Sequence, residues 1–247
     1  MLYREYKTLG ECFLEINKEA LRNPDIGHYM SSRILFNDLI MRVKSTDCTG
    51  IDLGKLGYKK GKWPHLLRTY VDIEKLKEFY EEIKNPTVTT FSFDFKTPEK
   101  GKGGCIKSMV FTRNAMGNKK FNSVKVIWRT TELMRKFAPD LIMIARILES
   151  CPNLDLDEIL LIIPQAYHSV LYMVPFTDVV FDFDIDKDCK PKKYPYHQQL
   201  INRSKWFRPG HEPCKRMTTF RLQEWKWDIL KGNMPEPVTY KDCELPL

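Results

Sequence analysis

Residues 105–163 decide the fold, and they read CIKSMVFTRNAMGNKKFNSVKVIWRTTELMRKFAPDLIMIARILESCPNLDLDEILLII. Two segments rich in β-branched and aromatic residues, 105–113 and 121–129, flank a short turn-like segment at 115–119. The apolar segment 139–150 predicts a long buried helix, and 158–163 predicts a further strand. A hairpin followed by a helix and another strand predicts an α+β fold, in which helices flank a large mixed central β-sheet.

The sequence on either side of this stretch extends the pattern. Apolar residues at helical spacing predict three upstream helices, at 5–21, 31–44 and 72–84, and the period then changes to that of a strand at 87–95. Downstream, a helix is expected near 166–174 and a strand at 217–222. Because no repeat, low-complexity segment or linker interrupts this order, residues 1–247 are expected to form a single domain.

The composition excludes several classes of protein. The chain has 247 residues, of which 43% are hydrophobic and 29% charged, as in an ordinary globular protein. Its apolar runs are much shorter than the roughly 20 residues of a membrane span. Arg4, Glu5 and Lys7 occupy the place of a signal peptide's apolar core, so a cytoplasmic protein is expected, in the host cytoplasm if the source is a virus.

The seven cysteines and the net charge further limit the function. The cysteines are scattered and lack a Cys-x-x-Cys pair, which predicts reduced thiols and no metal site. The formal charge is +8 with a pI near 9.0, and the densest basic stretch is 190–221. A basic surface that binds small anionic substrates is the favoured interpretation, and a nucleic-acid partner is possible but less favoured.

Three residues in the fold-deciding stretch are candidates for chemistry. Cys105 follows a Gly-rich loop, Arg129 ends a strand, and Asp140 begins a helix. Taken singly, each has an ordinary structural interpretation, as a core thiol, a surface cation and a helix cap respectively. Their order and spacing are more informative than any one of them.

That order and spacing resemble the thymidylate synthase and deoxycytidylate hydroxymethylase superfamily, as a divergent, phage-like member. The likeness covers roughly residues 31–176: a cysteine strand, a hairpin, a strand that ends in Arg129-Thr130 where the family has Arg-Ser, and Asp140 eleven residues after Arg129. The segment QAYHSVLYM stands where the family has Gly-Asp-x-His-x-Tyr, and RILFNDLIMRVKS resembles the helix that carries its catalytic glutamate. The resemblance implies a thymidylate synthase-like fold.

The resemblance also implies a mechanism. Cys105 would add to carbon 6 of a pyrimidine, and carbon 5 would then attack the methylene group of 5,10-methylenetetrahydrofolate. Asp38, at the place of the glutamate, and His168 would complete the catalytic set, while Arg129 and Thr130 would bind the nucleotide. Asp140, a carboxylate at the pyrimidine-reading position, points to cytosine and hydroxymethyl transfer. A homodimer that forms through one face of the sheet is also implied.

Some family positions differ in this chain. Thr87-Val88-Thr89-Thr90 replaces the Asp-Ser-Arg-Arg segment that binds the partner subunit's phosphate, and Val170 replaces a sugar-binding tyrosine for which Tyr172 is the candidate substitute. The C-terminal part, 182–247, matches nothing in the family. Either other bases hold the phosphate, or the substrate is not a nucleoside 5′-monophosphate; the candidate bases in the tail are Arg203, Arg208, Lys215 and Arg216.

Three hypotheses remain open from the sequence. The first is a folate-dependent one-carbon transferase that acts on a cytosine nucleotide. The second is an enzyme of the same fold that modifies a different pyrimidine substrate. The third is a non-catalytic member that binds nucleic acid or protein, in which Cys105 is only a core thiol.

Overall fold

The computed structural model describes residues 1–23, 27–30, 33–85, 89–96, 105–114, 121–151, 154–188 and 195–247. The strands are β1 (Leu2–Thr8), β2 (His28–Met30), β3 (Arg33–Ser45), β4 (Thr90–Asp94), β5 (Ile106–Asn114), β6 (Phe121–Trp128), β7 (Thr131–Glu132) and β8 (Leu156–Ser169). The helices are α1 (Leu9–Arg22), α2 (Trp63–Tyr70), α3 (Ile73–Ile83), α4 (Phe137–Glu149), α5 (Val170–Val180), α6 (Ile185–Asp188), α7 (Pro195–Ser204) and α8 (Met217–Leu230). Short 3-10 turns are present at Gly54–Leu56, Lys60–Lys62, Lys205–Phe207 and Tyr240–Asp242.

The strands form one large mixed sheet in the order β1-β3-β8-β6-β5-β4, with β2 paired to β3 and β7 paired to β8. The pairs β1–β3, β6–β8 and β7–β8 are parallel, and the remaining pairs are antiparallel. Helices flank this sheet in a single α/β domain. The predicted architecture of a large mixed sheet with flanking helices is therefore confirmed.

The two faces of the sheet differ in burial because successive side chains point to opposite faces. On one face every strand of the main path except the edge strand β1 contributes fully buried apolar residues, such as Leu39 on β3 and Val126 on β6. On the other face the side chains of the main strands are half-buried or exposed, and Ile40, Ile162 and Ile127 lie side by side across β3, β8 and β6. We call this second side the open face.

A paired irregularity in β3 and β8 keeps the buried side chains on one face. Asn37 pairs with Gln165 and Leu39 with Ile163, so Asp38 and Pro164 are both skipped in the ladder. An extra residue reverses the alternation of side chains in a strand. Buried residues accordingly continue from Phe36 to Leu39 instead of Phe36 to Asp38.

Helix α4 lies at the centre of the core, and eleven of its thirteen residues are buried. Tyr80 of α3 donates a hydrogen bond to the Ile147 carbonyl at 2.7 Å, which fixes the end of α4 against α3. Phe137, at the start of α4, packs edge-on against Trp128 of β6. The N-terminal end of α4 is thereby held at the end of β6.

A C-terminal segment, residues 236–244, crosses the helices around α4, and we call it the strap. The backbone N–H of Val238 donates to the Asp52 carboxylate at 2.9 Å, and the Trp63 indole donates to the Glu244 carbonyl at 2.7 Å. The Arg146 side chain donates to the Tyr240 carbonyl at 2.6 Å. Val238 and Cys243 are buried, so the strap completes the core.

Several predicted elements are confirmed and two predictions are wrong. The helices at 72–84 and 139–150 correspond to α3 and α4, and the three predicted central strands correspond to β4, β5 and β6. The predicted helix at 31–44 is strand β3, whose backbone hydrogen bonds are made to β1 and β8 on its two sides. The predicted strand at 217–222 is part of α8, whose buried residues recur at helical spacing.

Other boundaries differ from the sequence predictions. Strand β1 occupies the first part of the helix predicted at 5–21, and β8 runs to Ser169, beyond the predicted end at 163 and into the helix predicted near 166–174. That helix, α5, begins at Val170. The turn predicted at 115–119 lies outside the described residues, although β5 and β6 on either side of it pair antiparallel.

Candidate functional site

Cys105 lies immediately before β5, beside the end of β6. Its carbonyl accepts a hydrogen bond from the Arg129 backbone N–H at 2.9 Å, which continues the β5–β6 ladder past Ile106 and Trp128. The side chain is half-buried. The cysteine therefore remains partly accessible at an end of the sheet, unlike the fully buried Cys12.

Tyr70 is the aromatic neighbour of this thiol. It ends α2, and its carbonyl accepts a hydrogen bond from the Lys96 N–H at 2.8 Å, which ties the helix end to the end of β4. Its hydroxyl hydrogen-bonds the Cys105 side chain and accepts a further bond from the Cys105 backbone N–H. Burial and these neighbours raise the Tyr70 pKa, so the phenol is a neutral donor.

Asp140, in the first turn of α4, provides the carboxylate of the site. It is 2% exposed, and its Oδ2 accepts a hydrogen bond from the Trp128 indole N–H at 3.2 Å. Burial raises the pKa of Asp140 to about 7, although the Trp128 hydrogen bond and the charge of Lys136 oppose this shift. A carboxyl group with this pKa is both an acid and a base near neutral pH.

Two cations complete the group. Lys136 and Arg129 are exposed, and their charges lower the pKa of the Cys105 thiol. Burial and the nearby Asp140 carboxylate have the larger effect, and together they raise that pKa to about 11. We call Tyr70, Cys105, Arg129, Lys136 and Asp140 the Cys105 cluster.

A second group of side chains adjoins the cluster through Tyr58. The Arg135 guanidinium lies 4.4 Å from the Tyr58 ring centroid and 5.7 Å from that of Tyr172. The charge of Asp140 contributes to the Tyr58 pKa, which burial raises to about 12. Tyr172, predicted as a substrate-binding residue, therefore lies in this adjoining aromatic group.

Glu132 is a fully buried carboxylate beside these groups. Its oxygens accept hydrogen bonds from the backbone N–H groups of Arg135 at 2.8 Å and Met134 at 3.2 Å, in the turn that leads into α4. Burial raises the Glu132 pKa to about 7 against these hydrogen bonds. Glu132 thus fixes the turn that presents Arg135 and Lys136.

The structure brings together three of the site residues predicted from sequence: Cys105, Arg129 and Asp140. Thr130 is half-buried and directly follows Arg129. Two other predicted residues, Asp38 and His168, lie elsewhere.

Asp38 lies at the irregularity of β3. It is exposed and has a φ of 52°, in the left-handed region. Because β8 and β6 separate β3 from β5, about three strand spacings, or roughly 14 Å, lie between Asp38 and Cys105. The helix that placed Asp38 at the family's glutamate position is absent, and the basis for its catalytic assignment is removed.

His168 points into the core. It is fully buried on β8, where its Nε2 lies 2.7 Å from the Asn17 Oδ1 of α1 and its ring packs edge-on against Phe36. Burial lowers the His168 pKa to about 3, so the imidazole is neutral. The neighbouring Tyr167 lies on the opposite face, where burial raises its pKa and the charges of Lys136 and Cys105 also act on it.

Sequence reasoning missed Tyr70, Lys136 and Glu132. Tyr70 is distant from Cys105 in sequence and no motif connects them. Lys136 and Glu132 lie between Arg129 and Asp140, in a segment that the spacing argument passed over. A carboxylate three residues after Arg129, directly followed by Leu133 and Met134, was the available signal.

No protein-family model matches the chain, and no curated protein sequence matches it. Within the described ranges, no group of three or more His, Cys, Asp or Glu side chains is arranged to hold a metal ion. None of the described helices is long and apolar enough to cross a membrane.

Proposed function

We propose that this protein transfers a one-carbon unit to carbon 5 of a cytosine nucleotide, with folate as the donor and with Cys105 as a transient covalent nucleophile. The observation that carries the proposal is the Cys105 cluster: a half-buried thiol next to a phenol donor, a carboxyl group with a pKa of about 7 and two cations. Each member has a chemical task in such a reaction.

The first step is addition of the Cys105 sulfur to carbon 6 of the ring. As the S–C6 bond forms, the electrons of the C5–C6 double bond move toward C4 and N3 of cytosine. Protonated Asp140 donates its proton to N3, and a carboxyl oxygen accepts from the exocyclic amine. Because Trp128 occupies one lone pair of Oδ2, the carboxyl group is held in a fixed orientation for this contact.

The thiol must ionise to react, since the thiolate is the nucleophile. With a pKa of about 11, only a small fraction of Cys105 is ionised at neutral pH. Arg129 and Lys136 are the groups that offset the negative charge, and the proposal also assigns them to the binding of a 5′-phosphate. Protonation of Asp140 removes the neighbouring negative charge that disfavours the thiolate.

The tyrosines in and beside the Cys105 cluster suit a folate. Four tyrosine rings and two cations provide surfaces for a flat heteroaromatic ring and for a carboxylate tail; they are Tyr58, Tyr70, Tyr167, Tyr172, Arg135 and Lys136. When bound, 5,10-methylenetetrahydrofolate supplies the one-carbon unit. The proposal assigns no step to Asp38 or His168.

The proposal includes a homodimer formed through the open face. Ile40, Ile162 and Ile127 form an apolar row there, and Leu160 and Val110 extend it. A second copy would bury this row against its own equivalent, as the family's subunits do.

A non-catalytic pyrimidine-binding protein is the second candidate. The observation that favours it is the high pKa of Cys105, which suits an unreactive thiol. Both candidates predict nucleotide binding, but only the enzyme releases hydrogen from carbon 5.

Tritium release from cytosine and uracil nucleotides labelled at carbon 5 tests the proposal, with and without methylenetetrahydrofolate. We expect wild type to release tritium from the cytosine label, Cys105→Ala to release none, and the half-exposed control Cys214→Ala to match wild type. Asp140→Asn should shift the preference toward uracil, because an amide matches that ring.

Two results would contradict the proposal. Equal release by Cys105→Ala would exclude the covalent step. Binding without release from any nucleoside, nucleotide or oligonucleotide would leave the second candidate in its place.

A further inference from the structure

A strongly basic stretch of the chain lies between residues 203 and 221. This stretch contains six cationic side chains and one carboxylate, Glu212. The cations are Arg203, Lys205, Arg208, Lys215, Arg216 and Arg221. The segment runs from the end of α7 to the first turns of α8, away from the Cys105 cluster in sequence.

A buried glutamine folds this segment back on itself. The Gln223 side chain of α8 donates to the Trp206 carbonyl at 2.6 Å and accepts from the Cys214 N–H at 2.7 Å. Because both backbone groups contact one amide, the two ends of the loop lie next to each other. Lys205 and Trp206 are therefore neighbours of Lys215.

Trp206 is held at the surface by its chain neighbours. Phe207 is buried and anchors the 3-10 turn, so the adjacent Trp206 side chain is 38% exposed. The Arg203 guanidinium lies 5.4 Å from the Trp206 ring centroid. An exposed tryptophan thus lies beside Arg203, with Lys205 next to it in the chain.

Several of these cations form no ion pair with a carboxylate in the part of the chain that the structure describes. Among the residues that the structure describes, Lys205, Lys215 and Arg216 form no ion pair, whereas Arg208 is paired with Asp186. The charges of Lys205, Lys215 and Arg216 are consequently available to a partner.

We propose that this basic patch, consisting of Arg203, Lys205, Trp206, Lys215 and Arg216, binds single-stranded nucleic acid. Cations bind the phosphates of the strand, and an exposed aromatic ring stacks on a base that is free of its duplex partner. An exposed tryptophan is what separates this surface from one that attracts polyanions by charge alone. The proposal does not depend on the chemistry of Cys105.

Fluorescence anisotropy of a labelled oligothymidylate, with the full chain in low salt, tests the proposal. We expect Lys215→Ala/Arg216→Ala to weaken binding about tenfold and to reduce the salt slope by about 1.4, that is about 0.7 for each lost phosphate contact. Trp206→Ala should weaken binding about tenfold, and Trp206→Phe should largely restore it.

Lys75→Ala/Lys77→Ala on the solvent side of α3 is the matched control, because it removes the same charge elsewhere. Its affinity should equal that of wild type, and Cys105→Ala should also bind normally. An RNA strand and a duplex of the same length are further arms, and the duplex should bind more weakly.

Three results would overturn the proposal. They are no binding of either strand in low salt, equal losses in the patch and control variants, and duplex binding that Trp206→Ala leaves unchanged. Binding to vesicles of anionic phospholipid without oligonucleotide binding would replace the proposed partner by a membrane surface.

Discussion

At the scale of the residue, the reactivity of Cys105 depends on opposing charges around one sulfur atom. Burial and Asp140 disfavour the thiolate, while Lys136, Tyr70 and Arg129 favour it. Because Asp140 itself has a pKa of about 7, its effect on the thiol depends on pH. The cluster couples the two groups, so that protonating the carboxyl group promotes ionisation of the thiol.

Alkylation by iodoacetamide tests this coupling, with modification of Cys105 followed by peptide mass spectrometry. At pH 8, Asp140→Asn should speed the reaction about three- to tenfold, equivalent to half to one pKa unit, because a negative charge is removed. Lys136→Met should slow it by a similar factor. At pH 6 the difference between Asp140→Asn and wild type should shrink, since Asp140 is then protonated.

Cys214 in the same samples provides the internal control, because it is half-exposed and lies in another part of the chain. Its rate should be the same in all variants. An unchanged Cys105 rate in Asp140→Asn at pH 8 would show that the carboxylate does not act on the thiol.

At the scale of the element, Asp38 has a structural role in strand β3. The left-handed backbone at Asp38 lets the strand pass over an extra residue, and aspartate tolerates this conformation better than most residues. The paired skip at Pro164 keeps β3 and β8 in register beyond it.

Substitutions at Asp38 separate its backbone role from a chemical one. Asp38→Asn should leave both stability and tritium release unchanged, because asparagine also accepts a positive φ. Asp38→Val should lower the free energy of unfolding by about 1–2 kcal/mol, measured by urea denaturation, because a β-branched residue is strained there. Loss of tritium release in a stable Asp38→Asn protein would instead restore a catalytic role.

The sequence predicts some elements well and others poorly for identifiable reasons. Helix α4 is apolar on almost every side, as a buried helix is, and α3 has a clear apolar face at helical spacing. In both helices the sequence pattern therefore matches the observed burial. In β3 the skip at Asp38 breaks the alternation, which makes a strand resemble a helix. Residues 33–45 form a strand because they pair with β1 and β8. The local sequence pattern does not report this pairing with distant segments.

The candidate site was predictable only in part. Spacing within one stretch identified Cys105, Arg129 and Asp140, which lie on adjacent elements. Tyr70 joins them through the packing of α2 against the end of β4, a contact between distant segments. His168 was assigned from its place in the sequence, but strand alternation turns its ring toward α1.

At the scale of the whole molecule, the sheet has one face covered by helices and one left open. A cluster of half-buried aliphatic residues lies in the middle of the open face. Such a cluster favours contact with another protein surface over exposure to water. Charged residues, among them Lys125 and Arg42, lie beside it.

We predict that wild type sediments as a dimer and that Ile162→Glu sediments as a monomer, because a charge at the centre of the apolar row opposes its burial. Thr218→Glu, on the exposed surface of α8, introduces the same charge away from the sheet and should stay dimeric. Analytical ultracentrifugation measures both. A wild-type monomer at all concentrations would contradict the proposed use of the open face.

The strap is synthesised long after the residues it contacts, so the part of the core that it completes forms late in translation. Its hydrogen bonds join residues 181 and 186 positions apart, from Trp63 to Glu244 and from Asp52 to Val238. At about 5–20 residues per second, roughly 10 to 40 s of synthesis separate the two partners. Throughout that interval the nascent chain exposes the apolar surface on which Val238 and Cys243 of the strap will pack.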